Sequence, residues 1–155
     1  MTTEGMTTEK VTTKKVTTER VSTKGGLSFD KYLTYSELTD YLKGAEGAYP
    51  NLASLESAGK SYEGRDIWAL TITNRATGSP ETKPAIYIDG NIHAGEVTGC
   101  MVAVYLIDYL LKNYGKEEEV THLLDTRTFY VLPRVNPDGA EMYLTTPALL
   151  RSSVR

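Results

Sequence analysis

Residues 85–96 read AIYIDGNIHAGE. Ala85-Ile86-Tyr87-Ile88-Asp89 has the look of a buried strand, and Gly90 stops it. A glycine-containing turn follows, and a long apolar helix starts near Glu96. The turn therefore sits at the carboxyl end of a strand, where open α/β sheets bind ligands. His93 and Glu96 lie in it, three residues apart. An imidazole and a carboxylate held by such a turn can close on one metal ion, and zinc accepts both at about 2.0–2.2 Å. Spacing alone also fits a turn histidine beside a Glu that favours a helix N-terminus through the macrodipole.

The helix predicted from residue 96 to about 114 carries Val97, Cys100, Met101, Val104, Ile107 and Leu111 at helical spacing. Val102, Leu106 and Leu110 extend the apolar surface, so the helix is expected to be largely covered. Residues 117–125 form a short charged helix or loop, and 128–133 (TFYVLP) a second buried strand. A helix between two apolar strands is a crossover, which makes the two strands parallel. Upstream, Thr34 and Glu37 form a T-x-x-E capping box. Leu38, Tyr41, Leu42 and Ala45 continue as a helix, and Gly44 and Gly47 mark its end. Residues 52–60 and 65–73 read as strands joined by a turn at Ser61-Tyr62-Glu63-Gly64, a hairpin. Trp68, Leu70 and Ile72 share one face of the second strand. Residues 74–84 are a polar loop, Asn136-Pro137-Asp138-Gly139 is a turn signal, and residues 140–150 begin something helical. The fold class is α/β, with a mixed, partly parallel sheet and helices packed on it.

The 155 residues are enough for one domain with a real core. Hydrophobic residues are 40%, charged residues 24% and the net charge is −3, so nothing points to a nucleic acid partner. Cys100 is the only cysteine, which excludes an internal disulfide or a CxxC metal site and leaves an inert packed thiol. Residues 1–27 are mostly a low-complexity tail, of which 1–25 are five imperfect copies of a Thr-rich pentamer. One apolar residue in five cannot offset the ordering entropy, so this tail is expected to be disordered. The sequence offers no signal-peptide core and no transmembrane span. A cytoplasmic protein without membrane contact is the default expectation.

Other candidate groups are weaker. His122 lies in a polar segment and reads as a solvated or packing residue. Asp89 and Asp138 could orient His93 through its other ring nitrogen, or could simply form turns. Arg127 and Arg134 flank the second buried strand and Arg151 follows the last helical stretch. An arginine can grip a carboxylate or stabilise an oxyanion, but most are solvated surface groups. The 11 tyrosines are scattered and read mostly as half-buried fillers. No G-x-S-x-G elbow, Cys-His pattern, Walker string or Rossmann glycine string is present.

Three blocks in order add up to a resemblance. Residues 90–96 (GNIHAGE) before an apolar helix resemble the first zinc signature of the zinc metallocarboxypeptidases. Asn136-Pro137-Asp138-Gly139 with Arg134 before it resembles the family's next block, and residues 59–67 (GKSYEGRDI) its early strand-turn-strand. Together they cover roughly residues 32–155. The resemblance implies a zinc exopeptidase acting on peptide or protein C-termini, with Zn2+ held by His93 and Glu96. Arg151 resembles the arginine that polarises the scissile carbonyl, with Arg155 as its rival. The family's second zinc histidine, its Asn-Arg pair, pocket tyrosine and general-base glutamate have no counterpart here. Residues 28–155 are thus expected to be the N-terminal part of a catalytic domain, inactive alone. A related zinc deacylase of N-acyl amino acids would share the fold and the H-x-x-E turn. A non-catalytic homologue would be marked by loss of His93 or Glu96, and both are present.

Overall fold

The computed structural model describes residues 28–152. The Thr-rich segment 1–27, expected to be disordered, and Arg155 lie outside the described residues. The elements run α1 (Tyr35–Ala48), β1 (Ala53–Lys60), β2 (Asp66–Ile72), β3 (Ala85–Asp89), α2 (Val97–Asn113), α3 (Glu118–Thr126), β4 (Thr128–Leu132) and α4 (Pro137–Thr145). Two short 3-10 turns, Arg75–Thr77 and Pro80–Thr82, occupy the loop that reads as irregular in the sequence.

The capping box forms as expected. The Thr34 hydroxyl accepts from the Glu37 N–H, and the Glu37 carboxylate accepts from the Thr34 N–H. A second bond from Lys31, with those from Thr34, brings the Glu37 carboxyl down to about 2. Leu38, Leu42 and Ala45 form the buried stripe. The helix does not stop at its glycines but runs through both to Ala48. No side chain crowds either glycine, so each costs only propensity.

The sheet order is β1-β2-β4-β3. β1, β2 and β4 pair antiparallel in turn, while β3 and β4 are parallel with Ile86 opposite Phe129 and Ile88 opposite Val131. The crossover through α2 and α3 imposes that parallel pair, and the hairpin makes the sheet mixed. Leu70 and Ile72 of β2, Phe129 and Val131 of β4, the α1 stripe and the inner face of α2 make one apolar core. Leu124 and Val120 of α3 close it. Cys100 is buried within it, and that burial pushes its thiol up, against a smaller opposing pull from Arg134.

Three expectations are corrected. β3 is not buried: it is the sheet's edge, and Ile86 and Tyr87 stand open at 38% and 60% exposure. Apolar alternation states what a strand can bury, not whether a neighbour arrives. α2 is likewise only covered along its inner side, and Val102, Tyr105 and Tyr109 form an open stripe. Tyr105 meets Phe29 edge-on at 5.5 Å and stacks on Tyr109 at 6.4 Å. Tyrosines 32, 62, 87, 105, 109 and 143 are exposed, so most are not half-buried fillers. No described helix is long and apolar enough to cross a membrane.

Candidate metal centre

Beyond Asp89 and Leu132 the parallel strands continue as two loops laced together. The Gly90 N–H donates to Leu132 O at 3.0 Å, the Val135 N–H to Gly90 O at 3.0 Å, and the Asn136 N–H to Asn91 O at 3.1 Å. Gly90 is required by proximity. A Cβ there would lie 2.8 Å from Gly99 O in α2 and 3.1 Å from Pro133 O. Asn91 takes a left-handed φ of 55°, which Asn tolerates better than most residues. Its buried carboxamide donates to His93 O at 2.9 Å and Ala94 O at 3.2 Å. Asn136 supports the same turn from the other loop, donating to Ile92 O at 3.2 Å. Its Oδ1 accepts from the Gly139 N–H at 3.0 Å and caps α4.

The residues read from the sequence as a turn, Asn136-Pro137-Asp138-Gly139, are therefore a helix start with Pro at its first position. Gly139 lets α4 press on the His93–Glu96 turn, because a Cβ there would sit 2.9 Å from Ala94 Cβ. Gly95 lies under the Tyr143 ring of the same helix in the same way.

On this frame His93 and Glu96 converge. His93 Nδ1 lies 2.9 Å from Glu96 Oε2, with both side chains open to solvent. A tetrahedral cation with bonds of about 2.0–2.2 Å needs its donors about 3.4 Å apart. A half-ångström opening meets that distance, so the pair fits zinc. Arg151 arrives from the chain after α4. Its carbonyl accepts from the Ala94 N–H at 2.9 Å, and its Nη1 lies 3.8 Å from Glu96 Oε1. His93 lines two open clefts of about 540 and 640 Å³, one running toward Thr98 and the other toward Tyr62 and Ser152.

The remaining candidates are placed elsewhere. Asp138 does not orient His93. It accepts from Ser61 Oγ at 2.7 Å, the Glu63 N–H at 2.9 Å and Arg65 Nη1 at 2.7 Å, locking the β1–β2 turn onto α4. Burial alone would raise its carboxyl, but those three bonds outweigh it and hold it below the usual range. Asp89 lines the cleft and makes no hydrogen bond to His93. His122 is exposed on α3, and Arg127 follows that helix and bonds Thr126 O. Arg134 is not a solvated surface group but is buried at 2% exposure. Among the described residues no group of three His, Cys, Asp or Glu is placed to hold a metal. Sequence reasoning missed Asn91, whose only signal is an amide placed beside a glycine-bearing turn, and read Asn136 as part of a turn signal.

Residues 38–153 match the model of the zinc carboxypeptidase family. The chain belongs to that family. Carboxypeptidase D of Anas platyrhynchos is 34% identical over 120 residues, covering 77% of this chain and 9% of that protein. Metallocarboxypeptidase A of Trichophyton tonsurans is 38% identical over 125 residues, covering 81% of this chain and 29% of its own. Among solved structures, the carboxypeptidase A from Helicoverpa armigera superposes with a TM-score of 0.75 at 28% identity, over 87% of this chain and 32% of that one. The chain thus spans between about a tenth and a third of these relatives.

Proposed function

We propose that this polypeptide contributes to a zinc-dependent carboxypeptidase that removes C-terminal residues from peptides or proteins, with His93 and Glu96 as two of the metal's protein ligands. The observation that carries the reading is the convergence of the His93 imidazole, the Glu96 carboxylate and the Arg151 guanidinium at the carboxyl end of β3. Family membership and relatives named as carboxypeptidases support it.

His93 and Glu96 would hold zinc as two of its protein ligands, and the metal when bound would supply Lewis-acid chemistry at a scissile carbonyl and acidify a water. Arg151 donates toward the oxygen on which negative charge develops, from a backbone tied to the same turn. Arg151 is proposed for this role because its guanidinium lies beside Glu96; its rival Arg155 lies outside the described residues.

Catalytic zinc takes three protein ligands and a water. On this reading the third ligand and the general base belong to other parts of a catalytic domain of which residues 28–155 are the N-terminal part. The 155 residues alone are then expected to bind zinc weakly and release no C-terminal residue.

Titrating the chain with Zn2+ while following its histidine ring resonances tests the ligands. His93 should respond and His122 should not, and Glu96→Gln should weaken the response. Equal responses from both histidines, or none from His93, reject the assignment. Incubating the zinc-treated chain with free and C-terminally blocked peptides tests the inactivity. Release of a C-terminal residue from the unblocked peptide alone would contradict it.

A further inference from the structure

Arg134 is buried without a counter-ion. It follows β4 by two residues, and among the described residues no carboxylate forms an ion pair with it. Its Nη2 donates to Leu33 O at 2.7 Å and its Nε to Asn91 Oδ1 at 3.1 Å, while Nη1 has no hydrogen-bond partner. A guanidinium keeps its charge in a protein, and burying that charge unpaired is costly. Filling space between β4 and α2 does not require it, since an apolar side chain would do so at lower cost.

The charge acts on Leu33 O, the Cys100 thiol and the Asn91 carboxamide, and of these the carboxamide belongs to the turn that carries His93 and Glu96. A charge-assisted bond to Oδ1 fixes which end of the amide faces Arg134. Nδ2 is then left to face the carbonyls of His93 and Ala94, which it binds. Those two bonds, with the left-handed φ at Asn91, set the path of the backbone between His93 and Glu96. The chain of contacts runs from Leu33 O through Arg134 and Asn91 to the turn that carries His93 and Glu96.

We propose that Arg134 is a positioning residue: acting through the Asn91 carboxamide, it aims His93 and Glu96 at a shared point. The proposal rests on the metal reading above for its consequence, but its geometry exists without metal. Partners that orient ligands in this way typically change metal affinity by about 10–100-fold when removed.

The test uses the whole 155-residue chain and three variants, Arg134→Met, Arg134→Lys and Asn91→Gly. The first readout is the pair of ring 15N shifts of His93 in the zinc-free chain at fixed pH, which report the contact with Glu96. The second is the affinity for Zn2+ alone, and the third is unfolding by urea. Arg134→Met should move the His93 shifts toward those of a free imidazole and weaken zinc binding about 10–100-fold, with His122 unchanged. Arg134→Lys should recover part of both, because an ammonium can still reach one acceptor. Asn91→Gly keeps the left-handed backbone and the Arg134–Leu33 bond, so it isolates the carboxamide. It should reproduce the methionine variant even if that variant fails to fold. A folded Arg134→Met or Asn91→Gly chain with wild-type His93 shifts overturns the proposal. If wild-type His93 takes up no zinc yet its shifts respond as stated, the metal reading fails and the positioning role stands.

Discussion

β3 and β4 are five residues each, apolar in sequence, parallel and in register with one another. One is an open edge and the other is the buried centre of the sheet. The difference comes from neighbours: β4 pairs on both sides, with β2 and β3, whereas among the described residues β3 pairs with β4 alone. The two strands still meet as equals at their carboxyl ends, where Gly90, Asn91, Val135 and Asn136 knit the loops together. Order at the candidate metal centre is therefore supplied by the loops and α4, not by coverage of β3. A rigid site can stand at the end of a half-covered strand.

Substitution of register partners gives the largest test of this contrast. Ile86 and Phe129 lie opposite one another, at 38% and 5% exposure. Phe129→Ala should cost about 3–5 kcal/mol, by losing apolar contact and leaving a cavity. Ile86→Ala should cost less than about 1 kcal/mol, since solvent already reaches it. Urea unfolding measures both, and comparable losses would mean that β3 is covered in solution.

Next in size is the junction where the strands meet. Gly90→Ala places a methyl against backbone atoms of Gly99 and Pro133, none of which can swing aside as a side chain does. A loss of about 1–3 kcal/mol follows from overpacking. Zinc uptake by His93 should fall with it, because the turn starts at that residue. Retained stability together with retained zinc response would show that α2 can back away from β3, and that the loops are not rigid.

The hairpin lock at Asp138 is a smaller effect and depends on pH. Its folded carboxyl titrates below the unfolded value of about 3.9, so its contribution is present above that pH. It disappears as pH falls through the lower, folded value. Asp138→Asn should cost about 1–3 kcal/mol near neutrality, by leaving Arg65 and the Glu63 N–H poorly matched. The gap between variant and wild type should close below about pH 4. A gap that persists or widens in acid would show that the charge on Asp138 is not what holds the turn.

Legibility in the sequence followed the range of the interactions. The capping box is settled within four residues and the crossover by one strand-helix-strand run, and both could be read directly. His93 and Glu96 share one turn, so their meeting was also local. Asn136-Pro137 carries the same residues whether it starts a turn or a helix, and only contact with Ala94 and Ile92 decides for the helix. Arg134 reads as solvated until Asn91, 43 residues earlier, is brought beside it. Arg151 meets the metal turn across a similar gap in the chain, so its place rested on resemblance. A cut sheet edge is what the resemblance implies for one part of a catalytic domain, but that β3 forms it was the least legible feature, because nothing within those five residues says what lies beside them.

The smallest effect on stability tests the edge itself. The sheet has two edges, and they are not alike. β1 carries Glu56 and Lys60 and is interrupted by a register shift between Ser57 and Lys60, devices that discourage pairing with another chain. β3 offers Ala85, Ile86, Tyr87 and Ile88 without a charge before Asp89, and among the described residues no strand lies beside its outer backbone groups. Such an edge invites association. Tyr87→Lys should leave the unfolding free energy within about 0.5 kcal/mol, because the side chain is already in solvent. It should nevertheless reduce self-association, read as the concentration dependence of the sedimentation coefficient. Glu56→Val on β1 is the matching control, and should raise association by removing a guard. A wild-type chain that stays monomeric and melts cooperatively at high concentration would remove the distinction between the two edges, because β3 would then invite association no more than β1 does.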